Sequence, residues 1–351
     1  MQKRKIIKTV VAFALVAFMA GIVIGCGSGS KSEQPTGPIT VVWYPNESAN
    51  DYAEVRTEYG RVIEEAVGRK VIHRLTTDYV IAIEALASGA ADIAAVMGAV
   101  GYAEARSKNP LVDVLFVNSG PSGTLDDAVY YSWLNVNKAD AEKYKSGNSY
   151  SIDNIQGKRI SFVSNSSTSG FRVPTSGIIS HFSKMDAWKN IGPDDMAQGG
   201  PRAFFSQVLF GGSHQGSGFN LLTGKADVAA FCDYLIMPYV NLVSGELNKV
   251  GSVYAVKSDA VAPFNTIPGR EFVCISVIPV LNGPHAYNPK NMTAEEIQKI
   301  RAAFSSDESA NNPYFFGQKD SGHSWLFQKT DKERFVQTSD SWYDPLRNMG
   351  K

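Results

Sequence analysis

Four consecutive hydroxyl side chains, Ser166, Ser167, Thr168 and Ser169, follow a β-rich run that ends at Val163. An apolar-periodic segment comes directly after them, so a helix is expected to begin within this run. The N-terminus of a helix has unpaired backbone N–H groups and partial positive charge, and added hydroxyl donors could hold a tetrahedral oxyanion there without a formal cation. The same residues could serve only as a helix N-cap, and the motif by itself leaves both interpretations open.

The elements that would position this run alternate between strands and helices. Before the run, the pattern predicts strands over 39–45, 70–75 and 92–97 and helices over 53–67 and 79–88. After it, the pattern predicts strands over 158–163, 207–210 and 226–231, a helix over 215–223, and a late helix through Phe304 opened by a Thr293–Glu296 capping box. This rhythm predicts an α/β protein with mostly parallel sheets flanked by helices.

The length of the chain predicts two lobes, because the roughly 310 residues from Ile39 onward exceed what one core usually supports. Two passages, about 130–138 and 251–258, have the character of crossings between lobes and are predicted to be hinges. Lobe 1 would then comprise 39–130 plus 260–351, and lobe 2 would comprise 138–250. In such a plan the ligand lies in the cleft, at loops that follow the carboxyl ends of strands from both lobes.

The N-terminal segment indicates export and membrane attachment. Residues 1–25 combine a basic start with an apolar run, which is typical of a signal peptide. The stretch 23-VIGC-26 resembles the lipobox of bacterial lipoproteins, so Cys26 is expected to carry lipid at the outer face of the cell membrane. An uncleaved anchor helix with a chance cysteine is the alternative. Residues 26–38 would then form a lipidated Gly/Ser/Pro-rich tether.

The charge of the mature chain argues against a nucleic-acid partner. The sequence has 34 basic and 34 acidic residues, and loss of the signal peptide removes four basic residues, leaving 30 against 34. No basic stripe remains to neutralise phosphates.

Besides Cys26, the sequence contains Cys232 and Cys274. Both lie in apolar runs and are predicted to be buried free thiols, and a disulfide between them is the alternative.

Five blocks of sequence resemble those of the phosphonate-, phosphite- and phosphate-binding proteins of ABC importers. The stretch 166-SSTSGFRVPT-175 resembles the family's S-T-S-G-(aromatic)-x-V-P signature. The other four blocks follow in the family's order: 77-TDYVIAIEALASGAADIA-94, 129-VYYSWLNVNKAD-140, 211-GGSHQGSGFNLLTGKADVAA-230 and 267-IPGREFVC-274. The resemblance covers nearly the whole chain from Ile39 to about Arg301.

The resemblance implies a two-lobed periplasmic-binding-protein fold of type II, with two hinge strands, that closes on a phosphorus oxyanion and delivers it to an ABC permease. It implies a monomer without a cofactor that performs no chemistry. The positions that match the family's oxyanion-binding residues are Ser167, Thr168, Ser169, Tyr79, Tyr130 and His214. Each can donate a hydrogen bond, and a charged histidine would strengthen its own.

Two departures from the family pattern bear on the ligand. Members that take up aminoalkyl phosphonates place carboxylates near the amine, and here the matching positions are Tyr234, with Asp233 next to it, and Arg270. A guanidinium in place of a carboxylate disfavours a cationic ligand tail. We therefore hypothesise from the sequence that the ligand lacks an amine, although Arg270 could instead point away or pair with an acidic neighbour.

Two other classes of function compete with this interpretation. A hydrolase using Ser167 or Ser169 with His214 is disfavoured, because the run lacks a Gly-x-Ser-x-Gly elbow. The sequence also has no cysteine/histidine spacing that predicts a metal site. A two-lobed binder for a different solute, or a sensory ectodomain, is the stronger alternative, because one fold serves many ligands.

Overall fold

The computed structural model describes residues 35–47, 50–318 and 322–347 of the chain. The predicted signal peptide, Cys26 and most of the tether lie outside these residues. Within them, no helix is long and apolar enough to cross a membrane.

Most strands of the described chain are short, and two, Val129–Asn137 and Glu271–Leu281, are longer than the rest. In chain order they are β1 Ile39–Trp43, β2 Val71–Leu75, β3 Ile93–Ala95, β4 Asp113–Asn118, β5 Val129–Asn137, β6 Lys145–Ser146, β7 Ser149–Tyr150, β8 Arg159–Phe162, β9 Gln207–Phe210, β10 Val228–Cys232, β11 Val240–Ser244, β12 Val253–Val256, β13 Glu271–Leu281, β14 His285–Tyr287, β15 Phe316–Gly317, β16 Phe327–Gln328 and β17 Phe335–Val336.

The α-helices flank these strands. They are α1 Ala53–Val67, α2 Tyr79–Ser88, α3 Ala99–Lys108, α4 Val173–Phe182, α5 Pro193–Met196, α6 His214–Leu222, α7 Asp233–Ile236, α8 Ala294–Phe304, α9 Asp307–Ala310 and α10 Asp344–Arg347. A π-helical turn, Thr168–Arg172, leads directly into α4. The predicted capping box is present at α8, where Thr293 and Glu296 each accept a backbone N–H of the other.

The first sheet has six strands in the order β17-β4-β14-β3-β1-β2. Side chains of α1 and α8 form a core on one side of it, together with aromatic residues from 315–335. Side chains of α2 and α3 form the core on the other side. We refer to this sheet and its helices as the first lobe.

The second sheet has seven strands in the order β11-β12-β13-β5-β10-β8-β9. The apolar side chains of α4 pack into the core on one face of it. Those of α6 pack with Trp133 and Phe231 in the core on the other face. We refer to this sheet and its helices as the second lobe.

The long strands β5 and β13 carry the chain into and out of the second lobe. They pair antiparallel from Phe272↔Asn137 to Leu281↔Val129. β5 follows β4 of the first sheet, and β14 of the first sheet follows β13. The first passage therefore overlaps the predicted hinge at 130–138.

The second passage lies later than the predicted hinge at 251–258. That segment contains β12, which pairs with β13 inside the second sheet through Val253↔Val273. The chain returns to the first sheet only after Leu281, so residues 260–281 lie with the second lobe and not with lobe 1 as predicted. The apolar pattern of 251–258 gave the wrong hinge because a buried hairpin strand and a strand that crosses between lobes are equally apolar.

Both sheets are mixed, which corrects the prediction of mostly parallel sheets. In the first, β1 pairs parallel with β2 and β3, while β14 and β17 pair antiparallel with their neighbours. In the second, only β8, β9 and β10 pair in parallel. The antiparallel pairs come from β5, from the strands after β10, and from the C-terminal strands that return to the first sheet.

Candidate functional site

The hydroxyl run lies at the carboxyl end of β8, where the chain turns into helix. Ser167 caps this helix, because its Oγ accepts the backbone N–H of Gly170 at 3.1 Å. Val163 N in turn donates to Gly170 O at 3.1 Å, which holds the turn against the strand. Ser167, Thr168 and Ser169 are each at most 2 % exposed. The capping function and a buried cluster of hydroxyls therefore occur together.

The hydroxyl run also contacts the first lobe. Thr168 Oγ1 accepts the backbone N–H of Val100, at the start of α3, at 2.9 Å. Ser166 Oγ donates to Glu104 Oε2 on the same helix at 3.0 Å. Because its oxygen is occupied as an acceptor, the Thr168 hydroxyl still has its proton to donate. The run therefore lies at the boundary between the two lobes.

Tyr79 approaches the hydroxyl run from the first lobe. It begins α2, whose N-cap Asp78 accepts the backbone N–H of Val80 at 2.8 Å. The Tyr79 hydroxyl accepts Asn46 Nδ2 at 2.8 Å, and the Ser167 side chain lies near the same hydroxyl. Burial raises the pKa of Tyr79 well above its usual value, so the phenol remains protonated and can donate.

His214 approaches from the second lobe as a neutral donor. It begins α6 behind the N-cap Ser213, and its Nδ1 accepts the backbone N–H of Cys232 at 2.9 Å. That bond fixes the proton of the neutral ring on Nε2. Burial lowers the pKa of His214 to about 3, so the ring is uncharged near neutral pH. The sequence analysis allowed for a charged histidine, and burial argues against that charge.

Tyr130, Asp233 and Tyr234 lie beside one another at the carboxyl end of β10. The Tyr130 and Tyr234 rings meet edge-to-face, with centroids 5.5 Å apart, and the Ser169 side chain lies near the Tyr130 hydroxyl. Asp233 uses one oxygen to accept Tyr131 N at 3.0 Å and the other to accept Asn248 Nδ2 at 3.1 Å. Burial raises the pKa of Asp233 to about 6. Its carboxylate is thus already engaged in holding the second lobe.

Arg270 lies away from these residues. It is exposed, and it directly precedes β13, whose first residues pair with the far end of β5 at Asn137. The hydroxyl run and Cys232 lie at the opposite end, near Ser132. The structure therefore separates Arg270 from the other predicted ligand residues, and the hypothesis that the ligand lacks an amine loses the residue on which it rested.

Two residues that the sequence analysis missed, Asn46 and Glu47, lie directly after β1. Asn46 Oδ1 accepts the backbone N–H of His214 at 3.2 Å while its Nδ2 donates to Tyr79, so Asn46 joins the two lobes. Glu47 is 1 % exposed, and neither of its carboxylate oxygens has a hydrogen-bond partner. A signal for both was available, because 45-PNE-47 follows a strand at its carboxyl end, where ligands bind in this architecture.

A cavity of about 430 Å³ opens beside Thr168 between α3 and α4. Its polar lining includes Glu104, Arg172 and Arg347. Neither Tyr79 nor His214 lines it, so it lies on the outer side of the hydroxyl run. Among the residues that the structure describes, no cluster of His, Cys, Asp or Glu could hold a metal ion, and Cys232 and Cys274 are buried free thiols.

The fold and the buried donors define a two-lobed binding protein. Residues 41–343 match the sequence model of the ABC transporter, phosphonate, periplasmic substrate-binding proteins, and the chain belongs to this family. It is a periplasmic substrate-binding protein of a phosphonate ABC transporter, which places it outside the cytoplasmic membrane.

Individual relatives differ in their named ligands. The phosphate-import protein PhnD of Mycolicibacterium smegmatis is 25% identical over 279 residues, covering 73% of this chain and 78% of that protein. The binding component of an ABC phosphonate transporter from Pseudomonas aeruginosa has a TM-score of 0.58 at 17% identity, over 90% of this chain and 85% of its own. PhnD1 of Prochlorococcus marinus, solved with methylphosphonate, has a TM-score of 0.59 at 14% identity, over 90% and 98% of the two chains. At these identities the two structures support the fold alone.

Proposed function

We propose that this protein captures a phosphorus oxyanion on its buried hydroxyl run and delivers it to a membrane permease. The residues that would donate to the oxyanion are Ser167, Thr168, Ser169, Tyr79, Tyr130 and His214. The observation that carries the proposal is the convergence of these side chains from both lobes on one buried point. A dehydrated oxyanion needs a hydrogen bond to every oxygen, and this cluster supplies donors on several sides.

The donors proposed here are neutral. His214 is uncharged because burial lowers its pKa to about 3, and the Tyr79 phenol remains protonated because burial raises its pKa. Binding would therefore use hydroxyls, one imidazole N–H and the positive end of the helix that Ser167 caps. Such a site holds an anion by many short hydrogen bonds without a salt bridge that would slow release to the permease.

Capture would involve movement of the lobes about β5 and β13, the two strands that join them. Contacts such as Asn46–His214 and Val100–Thr168 form across the lobes when the cleft is closed. Lobes connected by a few backbone segments are suited to hinge closure around a ligand. We propose that the lipid on Cys26 keeps the protein at the membrane and that residues 26–38 tether it there, with the closed form as a monomer presented to the permease.

We infer that no reaction takes place at this site. His214 Nδ1 accepts the backbone N–H of Cys232, so it has no proton to donate to an orienting carboxylate. A general base in a hydrolytic triad uses that nitrogen to bind its orienting acid. His214 is thus arranged as a hydrogen-bond donor, which favours binding over the hydrolase that the sequence left as an alternative.

The substitution Thr168→Val tests the oxyanion site. It removes one hydroxyl donor at nearly constant volume, so we expect affinity for the preferred oxyanion to fall at least about tenfold. Isothermal titration with phosphate, phosphite, methylphosphonate, 2-aminoethylphosphonate, phosphonoacetate and sulfate would measure it on the purified protein.

Ser180→Ala is the matched control, because Ser180 is an exposed hydroxyl on α4, the helix that follows Thr168. It should leave every affinity unchanged. Absence of binding to all phosphorus oxyanions in the natural protein would overturn the proposal, and equal affinities for Thr168→Val and the natural protein would remove the hydroxyl run from the site.

A further inference from the structure

Glu47 is a buried carboxylate that nothing in the oxyanion site explains. It ends a short turn that follows β1, and it is 1 % exposed. Both of its oxygens lack a hydrogen-bond partner among the described residues. Burying an unpaired carboxylate is unfavourable by several kcal/mol, so such a group persists where function requires it. A ligand group that donates hydrogen bonds would satisfy it.

Groups from both lobes surround this carboxylate. Its charge acts on the hydroxyls of Tyr44 and Tyr79 in the first lobe. It also acts on Cys232 and Tyr234 in the second lobe. Glu47 therefore lies next to the proposed oxyanion donors, because its chain neighbour Asn46 binds both the Tyr79 hydroxyl and the backbone N–H of His214.

The balance of charge around Glu47 leaves it short of a cation. Among the described residues, Arg56 is the cationic group that acts on it, and Arg56 Nη1 donates to the backbone oxygen of Glu47. Burial raises the pKa of Glu47 to about 8, and its own backbone N–H and the nearby Arg56 charge only partly offset this. The empty site thus holds Glu47 mainly in the neutral form near pH 7.

We propose that Glu47 is the specificity-determining residue of this site and binds a primary ammonium group carried by the phosphonate ligand. An ammonium supplies three N–H donors and a positive charge to two unpartnered carboxylate oxygens. A protonated oxyanion would supply a single O–H and no positive charge.

This inference rests on the proposed function, because the hydroxyl run must hold the phosphonate end of the ligand while Glu47 binds the amine. It also reverses the hypothesis drawn from Arg270, whose position at the far end of the second sheet leaves it no influence on the ligand. The carboxylate is then contributed by the first lobe, at a position that the aligned blocks do not include.

The test compares 2-aminoethylphosphonate with propylphosphonate, which has the same shape but a methyl in place of the ammonium. The natural protein should bind the amine at least about 30-fold more tightly, because a hydrogen bond to a charged group contributes about 10- to 100-fold. Glu47→Gln should abolish that ratio while leaving propylphosphonate within about threefold. Retained binding of propylphosphonate shows that the variant is folded. Glu84→Gln, an exposed carboxylate on α2, is the control and should leave the ratio unchanged.

Calorimetry in buffers of different ionisation enthalpy gives a second readout. Because Glu47 starts mainly protonated and would ionise beside an ammonium, the amine should release up to about one more proton near pH 7 than propylphosphonate does. Glu47→Gln should lose this difference.

Equal affinity for the two ligands, or an equal effect of Glu47→Gln on both, would overturn the inference and leave the proposed function standing. If neither ligand nor inorganic phosphate binds the natural protein, the proposed function fails, and the inference fails with it. The two failures are therefore distinguishable within one set of titrations.

Discussion

At the scale of single residues, the titratable groups of the candidate site are buried and are not paired with an opposite charge within the described part of the chain. His214 and the tyrosines are held neutral, while Glu47 and Asp233 are carboxyl groups whose pKa values burial raises to about 8 and about 6. The difference between the two acids is their hydrogen bonding. Asp233 has two donors that the fold supplies, and Glu47 has none. Glu47 is therefore expected to destabilise the empty protein.

The pH dependence of stability should reveal this cost. The pKa of Glu47 rises from 4.5 to about 8 on folding, so between these values the unfolded chain releases a proton that the folded protein keeps. Raising the pH through this window thus favours unfolding. We expect Glu47→Gln, which removes the titration, to become more stable relative to the natural protein by about 3 kcal/mol between pH 5 and pH 8.

Urea unfolding of both proteins at the two pH values measures this change. The buried amide of the variant is present at both values, and Asp233 titrates in both proteins, so these effects cancel in the comparison. Parallel dependences on pH for the two proteins would show that Glu47 is ionised in the empty fold.

At the scale of elements, the site depends on how β8 turns into α4. The turn Thr168–Arg172 is π-helical, and it packs so closely on the strand that a Cβ on Gly170 would lie 2.2 Å from Val163 Cγ2. A wider turn places the hydroxyls of the run at the boundary with the first lobe before the regular helix starts at Val173. Such irregular turns often occur at functional sites.

Gly170→Ala tests the importance of this close packing. We expect the added methyl group to displace the turn, lower the free energy of unfolding by about 1–3 kcal/mol, and weaken oxyanion binding in parallel. Gly37→Ala is the control, since a Cβ there meets no atom within 4 Å. Thermal unfolding and titration would measure both effects, and a Gly170→Ala protein with unchanged stability and affinity would contradict this view of the turn.

At the scale of the whole molecule, two sheets are joined by β5 and β13 and bridged by polar contacts at their facing ends. Asn46 contributes most clearly, because it binds Tyr79 in the first lobe and the backbone of His214 in the second. The proposed oxyanion donors and Glu47 lie at this junction, so neither lobe alone forms the proposed site.

Cys26→Ser tests the proposed membrane attachment. A serine cannot form the thioether to the lipid, so the variant should lack the lipid-modified residue while its ligand affinity stays unchanged. Ser28→Ala in the tether should leave the lipid in place. Mass spectrometry of the N-terminus measures both, and a natural protein without lipid on Cys26 would refute lipid anchoring at this residue.

The sequence by itself determined the class of protein and the local elements. The helices Ala53–Val67 and Tyr79–Ser88 and the capping box at Thr293 were predicted correctly, because periodicity and capping are properties of neighbouring residues. Five ordered blocks indicated the family, and the hydroxyl run was predicted to lie at a strand-to-helix junction, where it lies.

The tertiary structure decided which chemistry-bearing residues face one another. Arg270 and Glu47 are both charged residues next to strands, and the packed structure leaves Arg270 exposed while it buries Glu47. The same holds for β12, which pairs within the second sheet although its sequence is as apolar as that of a crossing strand. Strand partners and burial depend on residues far apart in the chain, so the end of each sheet that carries the ligand site became evident only from the packed lobes.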